Sequence, residues 1–191
     1  MRSLVYFVAC TADGYIAAAD GATDFFPAFD GPHADDLLAE FPEMLPGHLR
    51  EALDLNADNQ RFDTVVMGRA TYELGLSEGI TSPYPHLRQV VATTTISTSP
   101  DPAVEIVGEG IVERVRSLKR EPGMDIWMAG GAQLAGALAD ELDELILKVN
   151  PVMLGAGIPL FAKRIGPRAV TITQHKVYPS GFALQRYRWA S

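Results

Sequence analysis

The sequence has almost none of the residues from which disulfides and thiolate metal sites are built. Cys10 is the only cysteine in 191 residues, so the chain cannot form an intramolecular disulfide or a multi-cysteine metal site. Its place in an apolar run predicts a small buried side chain and not a catalytic thiol. The histidines have no ligand spacing, and we predict no metal site: His33, His48, His86 and His175. The Gly-x-Ser-x-Gly motif is also absent, so covalent catalysis has no support in the sequence.

Positive charge and long apolar runs are scarce as well. The 24 acidic residues outnumber the 16 basic ones, which gives a formal net charge of −8. A surface of that sign does not attract the phosphate backbone, and nucleic acid is not an expected partner. The first apolar run, Leu4 to Cys10, is too short for a membrane-spanning helix or a signal-peptide core. We expect a cytoplasmic protein without a membrane partner.

Short apolar runs that alternate with helical patterns predict an α/β fold. Leu4 to Ala9 is apolar throughout, as in a strand buried on both faces, and we place it in the centre of a sheet. Five similar runs predict further strands: Thr64 to Met67, Gln89 to Ala92, Val104 to Val107, Ile126 to Ala129 and Leu145 to Val149. Helical apolar stripes cover Asp35 to Leu45 and Ile111 to Leu118. Because no linker divides the chain, we predict a single domain over residues 1–191.

The last part of the sequence predicts an antiparallel hairpin. Val170 to Val177 and Phe182 to Trp189 are rich in β-forming residues and are separated by a turn with proline and glycine. The apolar residues of the second run change parity near Gln185 to Arg186, which predicts a β-bulge. The hairpin carries more aromatic surface than one face of a sheet needs to bury, from Tyr178, Phe182, Tyr187 and Trp189. We therefore predict a homodimer.

The first candidate binding turn follows the strand predicted at Thr64 to Met67. Gly68 and Arg69 come directly after it and open a short helical stretch that includes Thr71. A helix N-terminus presents unpaired N–H groups and the positive end of the dipole, so a phosphate can approach where Gly68 has no side chain. Arg69 adds a cation there. The alternative is structural: Gly68 ends the strand, Arg69 is solvated and Thr71 caps the helix.

A second glycine turn, Gly130 and Gly131, follows the strand predicted at Ile126 to Ala129. Two adjacent glycines let a pyrophosphate lie against the N–H groups of Gly131, Ala132 and Gln133. The Rossmann fingerprint G-x-G-x-x-G is absent after the first strand, and a packing role for the glycine pair is the alternative. The carboxyl ends of parallel strands meet at one edge of a sheet, so the two turns together favour a dinucleotide.

Four segments resemble the dihydrofolate reductase superfamily. They are Ala12 to Ala17, Met67 to Glu73, Ala129 to Gly131 and Pro151 to Phe161. More narrowly, the chain resembles the reductase domain of bacterial riboflavin biosynthesis, the RibD C-terminal domain, and its stand-alone relatives. The resemblance implies a mainly parallel central sheet flanked by helices, with a C-terminal antiparallel hairpin. It also implies NADPH as the cofactor and a small-molecule substrate.

The resemblance also assigns cofactor contacts. The matching positions are Ala9, Ile16, Gly68, Arg69, Thr71, Thr93, Thr94, Thr95, Ala129, Gly130, Gly131, Ala132, Gln133 and Leu134. Ala9 and Ile16 belong to the nicotinamide end, beside a mobile loop over Asp13 to Ala17. Thr93 to Thr95 stand where the family contacts the 2′-phosphate, although threonines after a strand are also ordinary turn formers. In such a site the protein supplies position and a dry pocket, while the cofactor carries the hydride.

The substrate side departs from the folate-reducing enzymes. Their proline-tryptophan pair and early helix carboxylate are replaced by Asp20 to Asp30, although carboxylates beside proline and glycine are usually solvated. Lys148 stands where those enzymes carry a threonine; it can pair with an anionic substrate or extend to solvent. The candidate acids are Asp24, Asp30, Asp35 and Asp36, and the predicted catalytic set is Asp24, Asp30 and Lys148.

These departures argue against true folate reduction. The predicted activity is an NADPH-dependent hydride transfer to a small heterocycle that resembles a pterin, a pyrimidine or a flavin precursor. The alternative is a non-catalytic module that binds or senses NADP(H). The stretch from Gly47 to Arg61 is longer than a compact reductase needs and is expected to form a lid or a rim over the pocket. Its His48, Arg50 and Arg61, with His33 nearby, are expected to meet a substrate phosphate.

Overall fold

Helices and strands alternate along the chain in the computed structural model, which describes residues 1–163 and 165–189. The strands are β1 (Leu4–Thr11), β2 (Tyr15–Ala17), β3 (Phe62–Gly68), β4 (Arg88–Ala92), β5 (Val104–Val107), β6 (Asp125–Gly130), β7 (Glu144–Asn150), β8 (Ile158–Pro159), β9 (Val170–Val177) and β10 (Ala183–Trp189). The helices are α1 (Gly31–Glu40), α2 (Gly47–Ala52), α3 (Arg69–Ser77), α4 (Ile111–Arg120) and α5 (Ala132–Ala137). Within these ranges, none of the helices is long and apolar enough to cross a membrane.

One mixed sheet of eight strands organises the fold, in the order β5-β4-β3-β6-β1-β7-β10-β9. β1 is parallel to both β6 and β7, and β3 is parallel to both β4 and β6. β10 runs antiparallel between β7 and β9. The carboxyl ends of the parallel strands consequently share one edge, which we call the carboxyl edge. The predicted α/β fold, with a mainly parallel sheet and a C-terminal antiparallel hairpin, is confirmed.

β1 lies inside the sheet because its side chains are apolar on both faces. Val5 and Phe7 pack in one core and Leu4 and Tyr6 in the other, each at most 1% exposed. Burying a large apolar side chain fully contributes roughly 1.5 to 3 kcal/mol of transfer free energy. α1 and α3 contribute to the first core, and α4 and α5 to the second. We call these sides of the sheet the α1 face and the α4 face.

The first helix differs from the one predicted over Asp35 to Leu45. α1 begins at Gly31 and ends at Glu40, and a separate 3-10 turn covers Pro42–Met44. Pro32 fits the first turn of α1, where its missing N–H group is not needed. Pro42 excludes the residue before it from helical backbone, and Phe41 accordingly has a φ of −136°. The apolar stripe in the sequence is therefore shared by two elements.

The C-terminal hairpin confirms the predicted bulge. The register of β9 and β10 shifts between Arg186 and Tyr187. Before the shift, Leu184 packs on the α1 face; after it, Tyr187 packs on the α4 face. β9 is the edge strand of the sheet, and all eight of its residues are exposed.

The segment from Gly47 to Arg61 does not bring its arginines to the carboxyl edge. The Arg61 guanidinium pairs with Glu144 and Asp125, which are the first residues of β7 and β6. This position is at the opposite, amino edge of the sheet. Arg50 donates hydrogen bonds to the carbonyl oxygens of Pro42 and Ala57. The expectation that Arg61 meets a substrate phosphate is therefore wrong.

Glu43 anchors this segment from a fully buried position. Its side chain is 0% exposed, and its carboxylate accepts hydrogen bonds from the backbone N–H groups of Gln60, Arg61 and Phe62 at 3.1, 2.8 and 2.7 Å. Three charge-assisted hydrogen bonds compensate for the loss of water around the carboxylate. The start of β3 is thereby held against the turn that follows α1.

Glu43→Ala is expected to lower the free energy of unfolding by about 3 kcal/mol, because three backbone N–H groups lose their acceptor and that of Phe62 is buried. Urea denaturation followed by circular dichroism measures the change. Glu51→Ala, on the exposed side of α2, is the matched control and should change the free energy of unfolding by less than about 0.5 kcal/mol. Equal stabilities of the two variants would contradict the anchoring role.

Candidate functional site

The two glycine turns predicted from the sequence lie side by side at the carboxyl edge. Gly68 ends β3 and Gly130 ends β6, and these strands are parallel neighbours. A methyl group built on Gly68 would lie 3.4 Å from the backbone N of Gly131 and 3.5 Å from the carbonyl O of Gly130. The Thr71 hydroxyl, in the first turn of α3, lies 3.7 Å from the position of a methyl group on Gly130. The turns form one continuous backbone surface.

The glycines of these turns differ in what the backbone requires. Gly130 has a φ of +128°, a conformation that other residues rarely adopt, so the fold itself needs glycine there. Gly68 and Gly131 have φ angles of −80° and −104°, which any residue can adopt. A methyl group on Gly131 would meet nothing within 4 Å. A purely structural requirement for glycine therefore explains Gly130. It does not explain Gly131, because the open space beside that residue would accept a methyl group.

The residues that follow Gly131 divide between core and surface. Ala132 and Leu134 are buried at 4% and 5% exposure, and the side chain of Gln133 is exposed. Gly131 is the N-cap of α5, and its carbonyl accepts a hydrogen bond from Ala135 N. The predicted contacts of Ala132 and Leu134 must consequently come from the backbone, whereas Gln133 can also offer its side chain.

Arg69 lies at the surface beside the first turn. Its guanidinium donates hydrogen bonds to both carboxylate oxygens of Glu73 at 3.0 Å, one helical turn further along α3. The Arg69 side chain is 50% exposed, so this ion pair contributes little to stability. Glu73 instead holds the cation close to Gly68, the N-cap of α3.

The three threonines after β4 have different roles. Thr93 is buried, and its hydroxyl accepts hydrogen bonds from Thr95 N at 3.2 Å and Ile96 N at 3.3 Å. The turn-forming interpretation therefore holds for Thr93. The side chains of Thr94 and Thr95 are exposed at the end of a strand that neighbours β3.

Asp13 fastens the loop after β1, a contact that the sequence did not reveal. Its carboxylate accepts hydrogen bonds from the Thr11 hydroxyl at 2.6 Å and from the N–H groups of Gly155 and Leu154 at 2.7 and 3.1 Å. These hydrogen bonds, the one from Thr11 first, lower the pKa of Asp13. Ile16 follows in β2 and packs against the core of the α4 face. No sequence signal links Asp13 to a loop 141 residues away.

Lys148 lies level with the second glycine turn, two strands across the sheet. Ala9 of β1 is paired with Lys148 of β7. β1 and β6 run parallel, and Tyr6 is paired with Met128. Ala9 and Gly131 each lie three residues after their member of this pair. Neighbouring strands are spaced by about 4.8 Å, so β6 and β7, on either side of β1, lie roughly 10 Å apart.

The Lys148 side chain lies on the α1 face against an aromatic surface. Its ammonium is 4.7 Å from the centre of the Phe7 ring, within the range of a cation–π interaction. Burial lowers the pKa of Lys148 to about 8, because the charged form loses hydration. Lys148 is half-buried and lies two residues before the carboxyl end of β7 at Asn150.

The predicted acids lie on the surface in front of α1. Asp24 and Asp30 are both exposed, and Asp30 precedes α1 without a side-chain capping hydrogen bond. The polar side chain that α1 turns inward is His33, which is 7% exposed and stacks on Phe182 at 4.4 Å. Its spacing from the buried Leu37 is the signal in the sequence that could have placed it on the inner side of the helix.

Two surface cavities lie away from the glycine turns. One, of about 490 Å³, lies around Arg2 and Gly123, and the other, of about 310 Å³, lies between α2 and Pro85. Neither is lined by Gly68, Gly131 or Lys148. Among residues 1–163 and 165–189, no three histidine, cysteine or acidic side chains come together as they would around a metal ion.

Comparisons with known proteins agree with this architecture. The profile of the family described as RibD C-terminal domain matches residues 2–184. Uncharacterized protein YwjB of Bacillus subtilis (strain 168) is 35% identical over 162 residues, which cover 84% of this chain and 83% of YwjB. A Shewanella sp. PV-4 protein of known crystal structure, assigned to riboflavin biosynthesis, matches with a TM-score of 0.70 at 23% identity over 100% of both chains.

Dihydrofolate reductase from Enterococcus faecalis, solved with NADP(H) and RAB-propyl, matches with a TM-score of 0.62. The identity is 16%, over 99% of this chain and 97% of the reductase. The resemblance to the dihydrofolate reductase superfamily inferred from the motifs is confirmed. The fold is therefore one that a dihydrofolate reductase shares.

Alanine substitutions are expected to distinguish the glycine that the fold requires, Gly130, from the glycine that only keeps the surface bare, Gly131. Gly130→Ala should lower the free energy of unfolding by about 1 to 3 kcal/mol, because alanine is strained at that φ. Gly131→Ala should change it by less than about 0.5 kcal/mol, since its methyl group enters open space. Urea denaturation of both variants measures the difference, and a Gly131→Ala variant as unstable as Gly130→Ala would refute the distinction.

Proposed function

The chain belongs to the RibD C-terminal domain family, and on this premise we propose that it is an NADPH-dependent reductase that transfers a hydride to a small heterocyclic substrate. The observation that carries the proposal is the contact between the two glycine turns, 3.4 Å from a methyl position on Gly68 to Gly131 N. The proposed substrate resembles a pterin, a pyrimidine or a flavin precursor, which fits the names of the structural neighbours, a dihydrofolate reductase and a riboflavin biosynthesis protein. We do not propose folate itself.

The glycine turns suit a pyrophosphate. A side chain on Gly68 would fill the space between the turns, and a side chain on Gly131 would occupy the open space beside the second turn. Bare backbone at both positions lets a phosphate reach the N–H groups at the start of α3 and those of Gly131 and Ala132. The positive end of the α3 dipole adds to this attraction.

The exposed groups near α3 suit a third phosphate, which distinguishes NADPH from NADH. Arg69 is the cation beside the first turn, and Thr94 and Thr95 offer exposed hydroxyl groups at the end of β4. Glu73 keeps the Arg69 guanidinium near the turn through a contact that solvent already weakens. Exchange of this surface ion pair for a phosphate costs little, because Glu73 is rehydrated when Arg69 leaves it.

The nicotinamide end is proposed at Ala9, next to the loop held by Asp13. When bound, the dinucleotide supplies a hydride from its nicotinamide ring. Ile16 and the loop after β1 exclude water from this end, and Asp13 keeps the loop against Leu154 and Gly155. Lys148, Asp24 and Asp30 are the proposed polar groups on the substrate side.

A non-catalytic NADP(H)-binding module is the second candidate, and the exposure of Asp24 and Asp30 favours it. A proton donor has to lie within hydrogen-bond reach of the reacting atom, and an exposed carboxylate in front of α1 is not enclosed with a substrate. Both candidates require the dinucleotide to bind. They differ in turnover, because the module would bind NADPH without oxidising it in the presence of any heterocyclic acceptor.

NADPH at a hundredfold excess over its dissociation constant is expected to raise the free energy of unfolding by about 2.7 kcal/mol. Arg69→Ala should reduce the affinity for NADPH by about tenfold and leave that for NADH nearly unchanged, since the guanidinium meets only the extra phosphate. Isothermal titration calorimetry of both cofactors measures these affinities.

Arg116→Ala is the matched control for Arg69. Arg116 has a similar exposure of 51% and also pairs with a glutamate, but it lies on α4. Its removal should leave both affinities unchanged. Equal losses of NADPH and NADH affinity in Arg69→Ala would remove the proposed role of the arginine, and no thermal shift with millimolar NADPH would reject the function itself.

We also propose that the chain forms a homodimer through its edge strand. Val170 and Ile172 of β9 are 42% and 59% exposed. Ile172→Glu should convert a dimer into a monomer in sedimentation velocity, because a carboxylate is costly to bury in an interface. Thr171→Glu, on the opposite side of the same strand, should leave the dimer intact. A monomeric wild-type protein at micromolar concentration would contradict the assembly.

A further inference from the structure

We propose that Lys148 selects substrates whose reacting heterocyclic ring itself bears a single negative charge, an inference that rests on the proposed function. The relevant observation is the Lys148 ammonium, which has no anionic partner among residues 1–163 and 165–189. The chemistry implied is an acidic, planar ring in its monoanionic form, and not a neutral ring with a distant phosphate.

The Lys148 ammonium lacks the partner that other buried charges have. The buried Lys119 pairs with Asp143 at 2.6 Å, and even the exposed Lys176 pairs with Asp36. Within the described part of the chain, the contact made by the Lys148 ammonium is with the Phe7 ring, at 4.7 Å. A desolvated charge that is balanced only by an aromatic ring is costly, and such a charge points to a ligand that neutralises it.

The charged neighbours of Lys148 are already committed to each other. The titratable groups from the elements packed on this part of the α1 face are His33, Asp36 and Glu40 of α1, Arg186 of β10, and Lys176 of β9. Asp36 also accepts a hydrogen bond from Tyr178 at 2.7 Å, and Arg186 pairs with Glu40. Both carboxylates therefore have cationic partners, and Lys148 carries the unmatched positive charge.

The aromatic side chains next to Lys148 favour a flat ligand that carries a single charge. Phe7 packs against Phe41 at 4.7 Å and Trp127 at 6.2 Å, so the ammonium rests on an aromatic surface. A phosphate carries about 1.5 to 2 negative charges at neutral pH. A single ammonium would leave part of that charge uncompensated in a desolvated place, whereas a delocalised monoanion matches it.

The position of Lys148 assigns the charge to the reacting ring. Ala9 is paired with Lys148 across β1 and β7, and β1 lies between β7 and β6, the strand that ends at the second glycine turn. The proposed nicotinamide end lies at Ala9. A ring placed to accept the hydride over β1 is then within reach of the flexible Lys148 side chain from β7. A phosphate at the end of a ribose or another tail would extend away from this position.

Barbiturate and uracil are matched probes, because the two pyrimidines have similar size and only barbiturate is an anion at neutral pH. Calorimetric titration of the NADP⁺-saturated protein at pH 7 should give at least about tenfold tighter binding of barbiturate. Lys148→Met should abolish this preference, and Lys148→Arg should keep part of it. The affinity for NADPH should be the same in all three proteins.

The pH dependence in the wild-type protein is a second measurement that needs no variant. The anion binds to the protonated lysine, so barbiturate affinity should be full below the pKa of Lys148 and fall as the pH rises through it. Uracil binding should not follow this profile.

The outcomes separate this inference from the proposed function. If the wild-type protein fails to bind NADPH, the proposed function is rejected, and with it the premise of this inference. If NADPH binds but barbiturate has no preference over uracil, or Lys148→Met retains the preference, the inference alone is overturned. Inorganic phosphate that competes with barbiturate in the wild type and not in Lys148→Met would also overturn it, because the lysine would then serve a phosphate.

Discussion

The close approach of Gly68 to Gly131 is the contact on which the rest of the site depends. It exists because β3 and β6 are parallel neighbours, although they lie far apart in the sequence. A methyl group on Gly68 would already touch Gly131 N at 3.4 Å, and with glycine at this position the surface is bare backbone. The parallel order continues from β6 to β1 and β7, which places Ala9 and Lys148 at fixed distances from the same turn.

The charged groups of the molecule differ in whether they have polar partners, and this difference separates structural groups from the group proposed to bind substrate. The Glu43 carboxylate accepts hydrogen bonds from three backbone N–H groups, and Arg61 pairs with acids at the amino edge. Asp13 is likewise satisfied by hydrogen bonds that hold a loop. The hydrogen bonds and ion pairs of these groups compensate for the hydration that they lose. Lys148 differs, since its partner is an aromatic ring and its pKa is lowered to about 8, and this imbalance gives the substrate side its chemical character.

Much of the fold followed from patterns that are local in the chain. β1 was placed correctly because a strand buried on both faces must be apolar at every position, and the β9–β10 bulge followed from a change of parity. The first helix was misplaced because Pro42 ends α1 earlier than the apolar stripe suggests. The expected role of Arg61 was wrong for a different reason: which edge of a sheet a loop reaches depends on strand direction, and the composition of the loop does not encode it.

The sequence by itself determined the two glycine turns and the family of the chain, because a bare turn between strand and helix leaves its mark in adjacent residues. Tertiary structure decided which of these features act together. Only the sheet order brings Gly68 to Gly131 and sets Lys148 two strands away, and only packing against Phe7 removes water from its ammonium. Distances between strands and the hydration of a charge are properties of neighbours in space, so residues adjacent in the chain cannot report them.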